Sequence, residues 1–273
     1  MVVDKVQDMG SIYKNTNSRV YQIKGVNFLP LKPEIPSDLK SFLSGVKEVL
    51  EQGMYFCYNY DLTNTLERIS SNGHNGMSLY NRADKNYMWN KNICRDIIRS
   101  KVNTNWIIPV IQGFVGIIEE EMESKKVKLA LISRRSVKRA GTRYNVRGID
   151  DEGNVANMVE TEQILIFDNI CYSFNQVRGT VPVFWKQSGL FAEVSLTRAP
   201  LMAFPAFTKH FDNLINSHKR VIIFNLLSTT KQEEVELTRA YETNEAEYEK
   251  KVSSNIKYCH FDFHQEYAAA VIL

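Results

Sequence analysis

Between Lys125 and Arg147 the chain places nine basic residues and no acid: Lys125, Lys126, Lys128, Arg134, Arg135, Lys138, Arg139, Arg143 and Arg147. Gly148 to Asn169 reverses the sign, with six acids and no base. The whole sequence has a formal net charge of only +3, so charge is segregated rather than excessive. Clustered guanidinium groups suit a polyanion, because each offers a planar fork that matches phosphate oxygens. The plainer alternative is a solvated basic loop. Nucleic acid is disfavoured by the flanking acids and by the absence of an RNA-binding motif. A second group with chemical capacity is His260, Asp262 and His264, which alternate and so would share one face of a strand. Imidazoles and a carboxylate in that pattern can ligate a metal. We read them instead as a polar strand end, and assign neither metal nor cofactor.

The wording in and around the basic run resembles the Sac-domain (suppressor-of-actin) phosphoinositide phosphatases. The carrying residues are Leu131-Ile-Ser-Arg-Arg-Ser136, Arg139-Ala-Gly-Thr-Arg-Tyr144, Arg147-Gly-Ile-Asp150, Gly153-Asn-Val-Ala-Asn157 and Glu160-Thr-Glu-Gln-Ile164. Ser173-Phe-Asn-Gln-Val-Arg-Gly179 and Val181-Pro-Val-Phe-Trp185 continue the match, with Asn175 standing where the family usually has Val. Upstream, Asn27-Phe-Leu-Pro-Leu31, Phe56-Cys-Tyr-Asn-Tyr-Asp-Leu-Thr63, Met88-Trp-Asn90 and Pro109-Val-Ile-Gln-Gly-Phe114 fit in order, as do His210-Phe-Asp-Asn-Leu214 and His260-Phe-Asp-Phe-His264 downstream.

The resemblance covers nearly the whole chain. It implies a mixed-sheet N-terminal subdomain, residues 1–123, followed by the first part of a phosphatase-like α/β catalytic domain, residues 124–273. It also implies dephosphorylation of a phosphatidylinositol phosphate, with phosphatidylinositol 4-phosphate the expected substrate. The setting implied is cytoplasmic, peripheral at endoplasmic reticulum, Golgi or endosomal membranes, with head groups and the anionic membrane surface as partners. Head-group contacts are implied around Arg139, Arg143 and Arg147, and the basic run adds Arg134, Arg135 and Lys138. Arg178 is expected either to touch phosphate or to pair with Glu160 or Glu162. Asp262 or His264 would support catalysis in a complete enzyme.

Such enzymes use a Cys, five intervening residues and an Arg. A thiolate attacks phosphorus while loop N–H groups and the Arg surround the phosphoryl oxygens. The residues six places beyond Cys57, Cys94, Cys171 and Cys259 are Thr63, Ser100, Val177 and Gln265, and none is Arg. The catalytic loop is therefore expected beyond His264, and the chain is expected to be a fragment with both ends cut. The alternative is a non-catalytic module that binds phosphoinositide or a protein partner.

The elements that must position these groups are legible as patterns. With 273 residues, 44% hydrophobic and 24% charged, the chain has the composition of a globular protein with a sizeable core. Four cysteines without Cys-x-x-Cys fit a reducing compartment, and no run of about 18 apolar residues exists to cross a bilayer. Strands are expected at Val20–Ile23, Val26–Leu29, Tyr55–Tyr60, Gly113–Ile118 and Val127–Ile132. A helix capped by Ser37 or Asp38 should run to Gly53, with a loop from Ser70 to Asn86. Further on, Asp150–Asn154 reads as a turn between strands at Arg143–Arg147 and Ile164–Phe167, and Val181–Trp185 as extended. Helices over Phe207–Ile215 and Glu233–Val252 alternate with strands at Val221–Leu227 and Ile256–Phe263. That is a βαβ unit, with a first strand apolar enough for burial in a parallel sheet. Ligands of such sheets sit beyond the strand C-termini, where His260, Asp262 and His264 would point. Phe184, Trp185, Phe191, Phe204 and Phe207 are read as core.

Overall fold

The computed structural model describes residues 1–13, 18–29, 36–71, 76–122, 125–142, 145–168, 170–187, 189, 193–251, 256–263 and 265–267. Two compact units emerge, one of Met1–Val137 with Val159–Val177 and one of Lys138–Met158 with Arg178–Leu273. They do not meet at the expected 123/124 boundary, because strands on either side of it pair with each other in one sheet.

The first unit is a seven-stranded sheet whose strand order follows the sequence. Its strands are β1 (Val2–Ser11), β2 (Arg19–Asn27), β3 (Met54–Cys57), β4 (Val110–Met122), β5 (Lys125–Arg135), β6 (Val159–Phe167) and β7 (Ile170–Arg178). Pairing is antiparallel from β1 through β6. Alternation decides the faces: Val115, Ala130, Ile132 and Ile164 are buried together with Ile12, Val20 and Ile111, while their strand neighbours face the other way. Helix α1 (Ser37–Glu51) has Pro36 at its N-cap, so the cap expected of Ser37 or Asp38 shifts by one position and Asp38 falls in the first turn. There its carboxylate suits the helix dipole. Leu50 of α1 packs with Met54, Phe56 and Ile23. Short helices α2 (Leu66–Ser71), α3 (Leu79–Arg82) and α4 (Arg95–Arg99) follow. Helix α3 lies within the stretch read as loop, and the Ser78 hydroxyl caps it by accepting from the Asn81 N–H at 3.3 Å.

The second unit holds the expected βαβ. After the two-residue strands β8 (Trp185–Lys186) and β9 (Ser195–Leu196) come α5 (Phe204–His218), β10 (Val221–Asn225), α6 (Gln232–Glu249) and β11 (Ile256–His260). Strands β10 and β11 pair in parallel from Val221↔Ile256 to Asn225↔His260. Leu237, Ala240, Tyr241 and Tyr248, the stripe read on α6, are all buried. Phe184 and Trp185 lie in one core cluster and Phe207 in another, with Phe204 against the second; Phe191 is outside the described residues. Two expectations fail here. Strand β10 is covered on one face only, since Val221 and Ile223 pack inward while Ile222 and Phe224 are exposed. Asn145 and Val146 both donate to the Thr142 carbonyl, forming a turn where a strand was expected. No helix among the described residues is long and apolar enough to cross a membrane.

Candidate functional site

Arg134, expected at a lipid head group, is fully buried. It lies on β5 in the same facing row as Ala130 and Ile132, and pairs across the sheet with Glu160 of β6. Its Nη1 donates to Glu160 Oε1 and its Nη2 to Glu162 Oε2, both at 2.8 Å, and its Nε donates to the Leu62 carbonyl at 2.9 Å. Arg68 of α2 forks onto Glu160 with two bonds of 2.7 Å, and Glu162 also accepts from the Leu66 N–H and the Ser173 hydroxyl. Burial by itself would lower the Arg134 pKa, but the two carboxylates outweigh it and hold the guanidinium firmly charged. A buried charge needs partners of this kind, and removing one leaves the others uncompensated. This network occupies the carboxylates that the sequence offered to Arg178. The signal was available: Ala130, Ile132 and Arg134 alternate on one face, as do Glu160, Glu162 and Ile164.

The rest of the strand portion of the basic run is also matched. Lys128 pairs with Glu119 at 3.0 Å, Lys126 approaches the same carboxylate at 4.0 Å, and Lys125 reaches Asp168 at 2.6 Å. Arg135 extends toward Gln112, with Nη1 at 3.5 Å from its Oε1. Acids distant in sequence stand beside these bases because β4 and β6 flank β5.

Beyond β5 the run enters a loop of the second unit. Lys138 is exposed and Arg139 half-buried. Arg139 adopts φ 44°, and its Nη2 donates to the Arg147 carbonyl at 2.7 Å. Arg147 in turn grips Gln187 Oε1 from Nε and Nη2, at 3.2 and 2.8 Å, with its guanidinium 5.2 Å from the centre of the Trp185 ring. Asn157 ties the loop together, accepting from the Gly141 N–H at 3.2 Å and donating to the Val146 carbonyl at 3.1 Å. Gly148 is required at its position: φ is +70°, and a Cβ would stand 2.7 Å from the Val183 carbonyl oxygen. Arg143 lies outside the described residues. The Nε of Arg139 is buried with no hydrogen-bond partner among the described residues. A buried cationic donor without an acceptor is what an anion would satisfy. Arg178 is exposed at the end of β7.

At the C-terminal ends of β10 and β11, Asp262 is buried and committed to structure. Its Oδ2 accepts from the Thr229 N–H at 2.6 Å and the Thr229 hydroxyl at 2.7 Å, and its Oδ1 from the Gln265 N–H at 3.2 Å. It stands beyond β11, not on it, so it ties two strand-end loops instead of sharing a strand face with His260. His260 Nε2 lies 3.0 Å from the Leu227 carbonyl oxygen, and His264 is outside the described residues. Among the described residues no three His, Cys, Asp or Glu side chains gather in a metal-binding group. Thr229 and Gln187, which help organise these two places, carry no sequence signal of their own, whereas Asn157 closes the Gly153–Asn157 motif already noted.

Neither Cys94 nor Cys171 is set up by its surroundings as a nucleophile. Cys57 is buried, burial pushes the Cys94 thiol up, and burial together with the Glu162 charge does the same to Cys171. Thiolate chemistry calls for the opposite shift.

The family model described as the SacI homology domain matches residues 1–268. The chain is 35% identical over 278 residues to phosphatidylinositol-3-phosphatase SAC1-A of Danio rerio, covering 97% of this chain and 46% of that protein. It is 38% identical over 237 residues to polyphosphatidylinositol phosphatase INP53 of Saccharomyces cerevisiae, covering 81% and 21% respectively. To synaptojanin-1 of Homo sapiens it is 34% identical over 259 residues, covering 93% and 16%. The chain thus spans less than half the length of each of these relatives. A match that runs from the first strand to beyond β11 makes one conclusion plain: this chain belongs to the SacI homology domain family.

Proposed function

We propose that the chain is the lipid-recognising part of a phosphoinositide phosphatase, acting on phosphatidylinositol 4-phosphate at the cytoplasmic surface of endoplasmic reticulum, Golgi or endosomal membranes. The phosphoryl-accepting Cys-x5-Arg loop is not contained in these 273 residues. Support for the substrate class comes from the relatives, two of whose names specify phosphatidylinositol phosphatases. The observation that carries the reading within this chain is the loop after β5. It presents Lys138, holds Arg139 and Arg147 by hydrogen bonds, and leaves Arg139 Nε buried without an acceptor among the described residues. A phosphate oxygen is the acceptor we assign to it. The lack of any Cys-x5-Arg spacing keeps a second reading, a non-catalytic phosphoinositide-binding module, which makes the same binding prediction.

Vesicle co-sedimentation tests the assignment. Binding should require phosphatidylinositol 4-phosphate in phosphatidylcholine vesicles and weaken with salt, since exposed charges are screened over about 8 Å at physiological ionic strength. Each cation near an anionic surface contributes about 1 kcal/mol, so the Lys138→Ala, Arg139→Gln double variant should bind about 30-fold more weakly. Undiminished binding by that variant, or equal binding to pure phosphatidylcholine, would overturn the reading. The chain alone should release no phosphate; release abolished by one of the four Cys→Ser variants would reveal a nucleophile that spacing does not predict.

A further inference from the structure

Lys91 to Trp106, in the first unit, holds four bases, Lys91, Arg95, Arg99 and Lys101, against one acid, Asp96. Helical turns run through its first half: the Cys94 N–H donates to the Asn90 carbonyl and the Ile98 N–H to the Cys94 carbonyl. A 3-10 turn over Thr104–Trp106 ends it, with the Asn103 side chain accepting from the Asn105 N–H at 3.0 Å. Both halves are anchored on one cluster of Ala83, Met88 and Ile107, against which Cys94 and Ile98 pack. A hydroxyl contact of 2.8 Å between Ser78 and Thr104 fixes the second half further. The other apolar side chains of the segment turn away from these anchors. Ile93, Ile97 and Val102 are 44% to 57% exposed, and Trp106 is 80% exposed. Ile93 and Ile97 are about one helical turn apart and so lie side by side. Trp185 is buried and Trp89 half-buried, which leaves Trp106 as the tryptophan the fold does not cover.

All four bases are exposed. Arg95 approaches Asp96 at 3.9 Å, while Lys91, Arg99 and Lys101 have no ion pair among the described residues. The neighbouring α3 segment adds Arg82, Lys85 and one acid, Asp84, which is half-buried and accepts from the Asn86 N–H at 2.8 Å. The bases of β5 are matched by acids on the strands beside it; these are not. Exposed cations interleaved with bare apolar residues suit a surface that is anionic outside and apolar just beneath. Tryptophan favours that boundary, with its ring in the apolar layer and its N–H in the wet one. A protein partner fits less well, because the cores of protein interfaces are depleted in lysine.

We propose that the Lys91–Trp106 segment docks on an anionic bilayer, with Trp106, Ile93 and Ile97 entering the head-group boundary and Lys91, Arg99 and Lys101 resting on lipid head groups. This contact adds to the one assigned to Arg139 and rests on the same reading of the chain as a protein of membrane surfaces. The apolar residues concerned are already in water, so moving them into lipid gains burial without unpacking the fold.

Co-sedimentation with vesicles of phosphatidylserine and phosphatidylcholine, free of phosphoinositide, tests this. The chain should bind them, weaken with salt, and ignore pure phosphatidylcholine. Trp106→Ser should lower binding at least about tenfold. Arg99→Gln combined with Lys101→Gln should lower it about 30-fold, at about fivefold per cation. Phe42→Ser on exposed α1 should leave it unchanged, and far-UV circular dichroism should be the same for every variant. Brominated phosphatidylcholine in the vesicles should quench tryptophan fluorescence of the wild type but not of Trp106→Ser, at lipid concentrations where both are bound. Altered folding would not reproduce that difference. A wild-type chain that does not sediment with these vesicles would overturn the proposal and leave an acidic protein surface as the occupant. Equal binding by Trp106→Ser, or bound wild type whose fluorescence brominated lipid leaves intact, would also overturn it. The Arg139 assignment is read on phosphatidylinositol 4-phosphate vesicles with different variants, so either contact can fail alone.

Discussion

Replacing Arg134 by Met removes a fully buried cation from between two carboxylates while nearly preserving its volume. Glu160 would keep the Arg68 fork, but Glu162 would keep only the Leu66 N–H and the Ser173 hydroxyl. The Arg68–Glu160–Arg134–Glu162 group changes from neutral to one uncompensated negative charge, in a setting where breaking a buried pair costs about 3–5 kcal/mol. Whole domains are stable by only about 5–15 kcal/mol, so the variant should be marginal. At about 2 kcal/mol per molar urea, the unfolding midpoint should fall by about 2 M. Lys138→Met, an exposed change in the same basic run, should stay within about 0.5 kcal/mol of wild type. Adding Glu162→Gln to Arg134→Met removes the stranded charge and should recover at least about 1 kcal/mol. Far-UV circular dichroism in urea, beside the vesicle assay, separates structure from binding. An Arg134→Met protein as stable as wild type but weakened in lipid binding would refute the structural role and return Arg134 to the head-group site.

His210 gives a pH dependence. Burial pushes its pKa down from 6.5 to about 4, with the ring Nδ1 placed 3.2 Å from the Gly153 carbonyl oxygen. Above about pH 6.5 the ring is neutral in both states; below it the unfolded chain takes up a proton that the folded ring refuses. Stability should therefore decline as pH falls from about 6.5 to about 4, by at most about 3 kcal/mol because the ring keeps some solvent contact. Urea titrations across that window should show a smaller decline in His210→Gln; equal slopes would refute the assignment. Asn175 of β7 has a buried side-chain oxygen without a hydrogen-bond partner among the described residues. Asn175→Val should remove that penalty and add β propensity, stabilising by about 1 kcal/mol, a rise of about 2–4 °C in Tm on calorimetry. An unchanged or lower Tm would mean the oxygen is satisfied in solution.

Local pattern carried much of this protein. The 3.6-residue stripe of α6 and the apolar run of β10 bracket a crossover, and a crossover of that length joins parallel strands, as β10 and β11 prove to be. The ordered motifs from Asn27 to His264 carried the family, because motif order survives without any knowledge of contacts. The roles of the basic residues could not be read the same way. Charge counted along the chain is one-dimensional, whereas Coulomb energy depends on separation in space. The hairpin of β4 and β5 brings Glu119 to Lys128, and β6 brings Glu160 and Glu162 to Arg134 across gaps of 26 and 28 residues in sequence. Strand alternation then divides the run by face, so Arg134 turns to the core while Arg135, its neighbour, turns away. Asp262 shows the same limit at the other end of the chain. Its residue type announced chemistry, but the Thr229 loop that engages both its reach and its charge comes from the preceding strand. The sequence by itself determined β2 to β6, the long helices, the βαβ order of the second unit and the family, but not β1, β7 or the short helices. Which charges are buried, which are neutralised and which remain for a ligand was decided only when the sheet laid distant strands side by side, because desolvation and pairing depend on neighbours that no local pattern names.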